Sequence, residues 1–182
     1  MPVIIGLLRG VNVGGSHLVP MQQLRDLCCS LGLQDVKTYL QSGNLIFSTK
    51  ERNIDAAAKK LETALEQKFG FRVDVIVRTA EQLKDVIAAN PFAKRREVAP
   101  NKLHVVFLGN ELSTETKKAI AALQPDKEEL RFGGRELYIY FPDGMGQSKF
   151  MPRVTRLLKN SGTARNWNTV TKLLEIAKEM QE

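Results

Sequence analysis

Cysteine is scarce in this 182-residue chain, and its only two copies, Cys28 and Cys29, are adjacent. Adjacent thiols cannot staple distant segments, so a disulfide framework is excluded and a reducing, cytoplasmic setting is expected. Histidine is equally rare, with only His17 and His104. Together the four residues have no metal-ligand spacing, so neither a metal nor a cofactor is expected. No long apolar run exists near the N-terminus. Val3 to Leu8 falls far short of the roughly 20 residues that span a bilayer. It also lacks a basic leader region and a small-residue cleavage site, so neither a signal peptide nor a membrane partner is expected. No pair of carboxylates stands in a glycine-rich loop, which argues against two-carboxylate hydrolysis. Low-complexity segments are absent.

Acidic residues are missing from one long stretch. Between Asp143 and Glu175 there is none, while Lys149, Arg153, Arg156, Lys159, Arg165 and Lys172 are all basic. The whole chain carries +7, with a pI near 9.5. A basic surface of this kind attracts phosphates, nucleic acid or acidic partners, although charge runs also occur as plain solvated helix faces.

The apolar pattern is ordinary for a globular protein, at 43% hydrophobic and 26% charged residues. Val3 to Leu8 reads as a buried strand. Leu24, Leu27, Cys28 and Leu31 repeat at helical spacing, so Met21 to Leu31 is expected to be a helix that follows Pro20 and stops at Gly32. Val36 to Leu40 and Leu45 to Ser48 flank the turn Ser42-Gly43-Asn44 as a hairpin. Ala57, Leu61, Ala64, Leu65 and Phe69 mark a second helix, ended by Gly70. Phe71, Val73, Val75 and Val77 alternate as a half-buried strand. This is the β-α-β-β-α-β order of a ferredoxin-like plait.

The order β-α-β-β-α recurs in the second half. Ala80 to Ala89 is a helix cut at Asn90-Pro91. Leu103 to Leu108 is a strand that contains His104. Thr114 to Leu123 is a helix with Ser113 as its cap. Glu129 to Phe132 and Glu136 to Phe141 form a hairpin around Gly133-Gly134. Helices Phe150 to Lys159 and Asn166 to Met180 close the chain. The expected fold class is α+β: two ferredoxin-like plaits with antiparallel sheets plus C-terminal helices. The expected units are 1–78 and 79–182, closely packed, with a single domain as the alternative.

Several stretches resemble one family. They are Leu7-Leu8-Arg9-Gly10-Val11-Asn12-Val13-Gly14-Gly15, Val19-Pro20-Met21, Thr38-Tyr39-Leu40-Gln41-Ser42-Gly43-Asn44 and Arg165-Asn166-Trp167-Asn168-Thr169-Val170. Together they resemble the bacterial family named domain of unknown function 1697 (DUF1697), over nearly the whole chain. The resemblance implies two ferredoxin-like plaits. It brings no established activity, so no catalytic residue is carried over. The family pattern has a second Thr where this chain has Ala164, so a hydroxyl role does not transfer to that position.

Three polar segments are candidate sites. The first is Arg9 to Gly15, where Gly14 and Gly15 let backbone amides converge before a helix. Its spacing matches neither G-x-G-x-x-G nor a Walker loop. The topology of a plait brings this loop to the same sheet end as the first hairpin. Arg9, Asn12, Gln41, Ser42 and Asn44 then either face a shared ligand or hydrogen-bond one another to hold the loop. The second segment is Asp143 to Lys149, where glycines, Ser148 and Lys149 precede a helix. The third surrounds Trp167, the only Trp. There Asn166 is expected to cap the last helix, Trp167 to act as an apolar anchor, and Arg165 to need a carboxylate or a bound anion.

These features point first to binding of a phosphate-bearing ligand, either a nucleotide or a nucleic acid. RRM-type readout through aromatics on the central strands is not expected, because Val3 to Leu8 contains none. One alternative is an enzyme acting on a small anionic substrate, with Arg9, Asn12 and Arg165 positioning it and His17 carrying the proton. The other is a ligand-free interaction domain whose polar motifs lock two plaits together.

Overall fold

A computed structural model describes every residue from Met1 to Glu182. The first plait runs β1 (Val3–Leu8), α1 (Met21–Ser30), β2 (Gln34–Tyr39), β3 (Asn44–Ser48), α2 (Ile54–Phe69) and β4 (Val75–Thr79). Its sheet has the order β2-β3-β1-β4, with every neighbouring pair antiparallel. The second plait repeats this as β5 (Leu103–Phe107), α4 (Thr114–Ala121), β6 (Glu129–Phe132), β7 (Glu136–Tyr140), α5 (Phe150–Leu157) and β8 (Thr163–Asn166). Its order is β6-β7-β5-β8, again antiparallel throughout. Helix α3 (Ala80–Ala88) follows the first plait, and α6 (Trp167–Glu179) follows the second. The protein is therefore α+β, built from two ferredoxin-like units. No helix is long and apolar enough to cross a membrane.

By internal packing, one unit comprises Met1–Asp85 with Lys172–Glu182, and the other comprises Val86–Thr171. The first thus extends past residue 78 and takes in most of α6. In the first unit, Leu24 and Cys28 of α1 and Leu61 and Leu65 of α2 pack on Ile4, Leu8, Leu45 and Phe47 of the sheet. In the second, Ile120 of α4, Phe150 and Val154 of α5 and Leu158 just past its end pack on Val106, Leu108, Leu137 and Ile139. Each such fully buried aliphatic side chain contributes on the order of 2 kcal/mol.

Local chemistry sets the helix ends. The Asn53 side chain accepts hydrogen bonds from the amides of Asp55 and Ala56, and Ser113 accepts one from Thr116. Gly70 ends α2 in the left-handed region at φ 78°, which costs a glycine little.

Two elements depart from the sequence expectation. The alternating run from Phe71 becomes strand only at Val75. Its partner β1 stops at Leu8, which pairs with Val75, so the earlier residues have no strand to join. Thr163 to Asn166 is not the lead-in to a helix but the strand β8. It pairs with β5 along four positions, from Phe107–Thr163 to His104–Asn166, and completes the second plait. The last helix accordingly starts at Trp167.

Candidate functional site

The glycine loop after β1 folds into a miniature hairpin. The Asn12 amide donates to the His17 carbonyl at 3.0 Å and the Ser16 amide to the Val13 carbonyl at 3.1 Å. Gly14 and Gly15 form its tip at φ 58° and 75°. Asn12 then pins this hairpin in place. Its Nδ2 donates to the Val19 carbonyl at 3.0 Å and to the Gln41 carbonyl at 2.7 Å, and its Oδ1 accepts from the Val19 amide at 2.8 Å. Two donors and one acceptor of a single amide are thereby used on the chain itself. The loop and the β2–β3 hairpin do meet at one end of the sheet, as topology requires.

The hairpin side of this contact is equally closed. Asn44 is fully buried, and its Nδ2 donates to the Tyr39 carbonyl at 2.7 Å and to Ser42 Oγ at 2.9 Å. The Leu8 amide donates to the Gly43 carbonyl at 2.8 Å. Gly43 lies so close to β1 that a Cβ placed on it would sit 2.7 Å from Val11 and 2.8 Å from Leu8. Gln41 contributes its backbone carbonyl to the latch. Arg9 turns to the other side, 3.6 Å from Asp74, which also binds Arg72 at 3.1 Å. The polar residues of this end thus form a latch between two loops. It displays three apolar side chains to solvent, Val13, Leu18 and Leu40.

The loop before α5 has a comparable internal economy. Ser148 Oγ accepts from the amides of Phe150 and Met151, both at 3.1 Å, and donates to Glu128 Oε1 at 2.6 Å. The second oxygen of Glu128 accepts from the amides of Asp126 and Lys127, both at 3.1 Å. Burial raises the Glu128 carboxyl, but the hydrogen bonds from Ser148 and the backbone outweigh it and hold it below the usual range. The positive end of α5 therefore already has an anion, Glu128, relayed through Ser148. A polar cavity of about 200 Å³ lies here, lined by residues that include Lys127, Asp143, Lys149 and Arg153. Lys127 and Asp143 pair across it at 3.0 Å.

Arg165 lies inside β8 and is 94% buried by its 6% relative exposure. Its Nη1 donates to Thr163 Oγ1 at 2.7 Å and to the Ala164 carbonyl at 2.9 Å. Burial lowers its guanidinium to about 10, so it stays charged at neutral pH. Asn166 behaves as a cap: its Oδ1 accepts from the Asn168 amide at 2.8 Å, and its Nδ2 reaches the Asn101 carbonyl at 3.3 Å. Trp167 is half-buried.

The remaining candidates divide by environment. His17 packs its ring against Phe71, with centroids 4.6 Å apart. His104 is buried edge-on against Phe141, and desolvation lowers it to about 4. Cys28 is pushed up to about 12, first by burial and then by Cys29, and is an inert core group. No group of three or more His, Cys, Asp and Glu is placed to hold a metal ion.

One surface stands apart from these closed motifs. Helix α5 exposes Lys149 at its start, Arg153 and Arg156 along it, and Lys159 just beyond its end, and the helix contains no acidic residue. The first three are spaced i, i+4 and i+7, which lines them along the outer side of the helix, opposite Phe150, Val154 and Leu158. Arg153 also donates to the Gln124 carbonyl at 2.9 Å. The spacing is visible in the sequence, where Lys149 is the one member of this row that the loop before the helix marks as a candidate site residue. The other two basic positions of the stretch do not join the row. Arg165 is buried, and Lys172 pairs with Glu175 at 2.7 Å.

Fold and surface together define a double ferredoxin-like plait with latched loops and one basic helix face. The chain belongs to the family of proteins of unknown function DUF1697, whose model matches residues 1–138. Among solved structures it is similar to the conserved bacterial protein SP0830 from Streptococcus pneumoniae, at 26% identity and a TM-score of 0.78, over 97% of this chain and 98% of that one. No curated protein matches it.

Proposed function

We propose that this protein binds the phosphate backbone of nucleic acid through the outer face of α5. The observation that carries this reading is the exposed row of Lys149, Arg153, Arg156 and Lys159 on an element without a single carboxylate. The other candidate loops argue in the same direction by elimination. The Asn12 and Asn44 groups are engaged with the chain, and Glu128 occupies the anion position before α5. The sheet faces offer no RRM-type platform either, because Ile5, Leu7, Ile46, Val105 and Phe107 are buried. A cytoplasmic setting suits this reading, as do the free thiols of Cys28 and Cys29.

The physics of such binding is counterion release. Four cations that each neutralise a phosphate give a log–log salt slope of about −3 to −4. Raising salt from about 50 to 200 mM should then weaken binding by roughly a hundredfold. Filter binding to RNA and DNA oligonucleotides, with the parent and with a Lys149→Ala, Arg153→Ala, Arg156→Ala, Lys159→Ala variant, tests this. Binding at low salt that the variant loses is the expected result. No binding by the parent at low salt, or undiminished binding by the variant, overturns the reading.

A further inference from the structure

We infer that the bound nucleic acid is single-stranded, and that its bases lie in the groove between α5 and β8. This inference rests on the reading of α5 as the phosphate-binding face. The groove has a volume of about 580 Å³, and Met145, Met151, Pro152 and Ala164 give it an apolar lining. Arg156 belongs both to the basic row and to the wall of this groove. On α5, Pro152 and Thr155 follow Arg156 around the helix on the side away from Lys149 and Arg153. A strand whose phosphates follow the row therefore has an apolar hollow directly beside it.

That juxtaposition selects among nucleic acids. A duplex keeps its base faces stacked inside and offers only phosphates and groove edges, so an apolar hollow adds nothing to its binding. A single strand offers phosphates along one side and base faces along the other, which matches a cationic row beside an apolar floor. A mononucleotide carries a single phosphate group and engages fewer cations of the row than a strand does. An acidic peptide would satisfy the charges, but without a planar group to fill the groove.

The floor contains no aromatic ring among its lining residues. Bases therefore rest on the Met145 and Met151 thioethers and the Pro152 ring, which adapt to any base. Sequence preference should be weak. Ser148, Thr155 and Asn160 line the same groove with polar side chains, but Ser148 and Thr155 are already bound to Glu128 and to the Met151 carbonyl.

The test compares oligouridine and oligothymidine of about 12 nucleotides with a duplex of the same length, at low salt and with the full chain. The expected result is at least tenfold tighter binding of the single strands. A neutral double variant, Met145→Ser with Pro152→Ser, should remove most of that preference while leaving duplex affinity unchanged. Pro152 is exposed and Met145 only half-buried, and a thermal melt checks that the variant folds. Photo-crosslinking of oligouridine containing 4-thiouridine should label a peptide within residues 145–164. Equal affinity for single strands and duplex, or crosslinks confined to other segments, overturns the inference while α5 remains a phosphate-binding face. If the four-residue α5 variant binds as the parent does, the underlying reading fails instead.

Discussion

Arg78 and Arg165 occupy the same place in the two plaits. Arg78 is the next-to-last residue of β4 and pairs with Ile5, the third residue of β1; Arg165 is the next-to-last residue of β8 and pairs with Val105, the third residue of β5. Each donates through Nη1 to the carbonyl just before it, Val77 or Ala164, at 2.9 Å in both cases. Each is followed by a polar residue that caps the next helix. Thr79 exchanges bonds with Gln82 in a capping box, and Asn166 accepts from the Asn168 amide. Both strands lie at a sheet edge, where an inward-turned charge also discourages stray strand pairing. The duplication is therefore visible in register and bonding, although Val77-Arg78-Thr79 and Ala164-Arg165-Asn166 share only the arginine.

Replacing either arginine by Ala should destabilise the fold by about 2–4 kcal/mol, because a buried guanidinium leaves unmet acceptors and a void. Lys should rescue poorly, since a point charge cannot reproduce the planar fork. Chemical denaturation of Arg78→Ala, Arg165→Ala and the two Lys variants measures this. Parent-like midpoints for the Ala variants would show that the buried arginines are dispensable for stability.

The loop latch should be sensitive in proportion to its closeness. Asn44→Ala loses two bonds from a fully buried amide and should cost about 2 kcal/mol. Gly43→Ala should cost more, about 3 kcal/mol, because its Cβ meets Val11 and Leu8 inside 3 Å and its φ is 83°. For a domain of this size, differences of this kind appear as a melting shift of about 2–4 °C per kcal/mol.

His104 should make the protein acid-sensitive. Its ordinary value of 6.5 falls to about 4 in the folded state because burial disfavours the imidazolium. Above pH 6.5 both folded and unfolded chains hold it neutral, so it adds no pH dependence. Between about 6.5 and 4 the unfolded chain takes up the proton first, and stability falls with pH by at most about 3 kcal/mol. Denaturation of the parent and His104→Phe across this range isolates the effect. The variant should show a shallower decline, and identical slopes would refute the assignment.

The α5 row should behave in the opposite way. Its side chains are exposed, so the four-Ala variant should melt within about 0.5 kcal/mol of the parent. A large loss of stability would place these cations in the fold rather than on a binding face. Calorimetry of the two proteins decides this before any ligand is added.

Much of this architecture is legible along the chain. Leu24, Cys28, Leu61 and Leu65 announce their helices because 3.6-residue spacing is a local property. Asn53 and Ser113 announce their caps for the same reason. Strand β8 escapes such reading. Thr163-Ala164-Arg165-Asn166 has neither apolar alternation nor β-branched bulk beyond one Thr, and it becomes a strand only by pairing with β5, some sixty residues earlier. The anion before α5 was hidden similarly, since Glu128 meets Ser148 only through the β6–β7 hairpin between them.

The order of elements, the apolar stripes and the basic stretch can all be read along the chain, since each depends on neighbours within a few positions. The meeting of Asn12 and Gln41 at one sheet end is legible too, because the plait topology leaves no other arrangement. Which polar groups turn inward depends on the folded chain. Arg156 and Arg165 stand in the same acid-free stretch, yet one faces solvent on a helix and the other is buried in a strand. A strand's side chains take the face set by register with a distant partner, and only the folded chain supplies that partner.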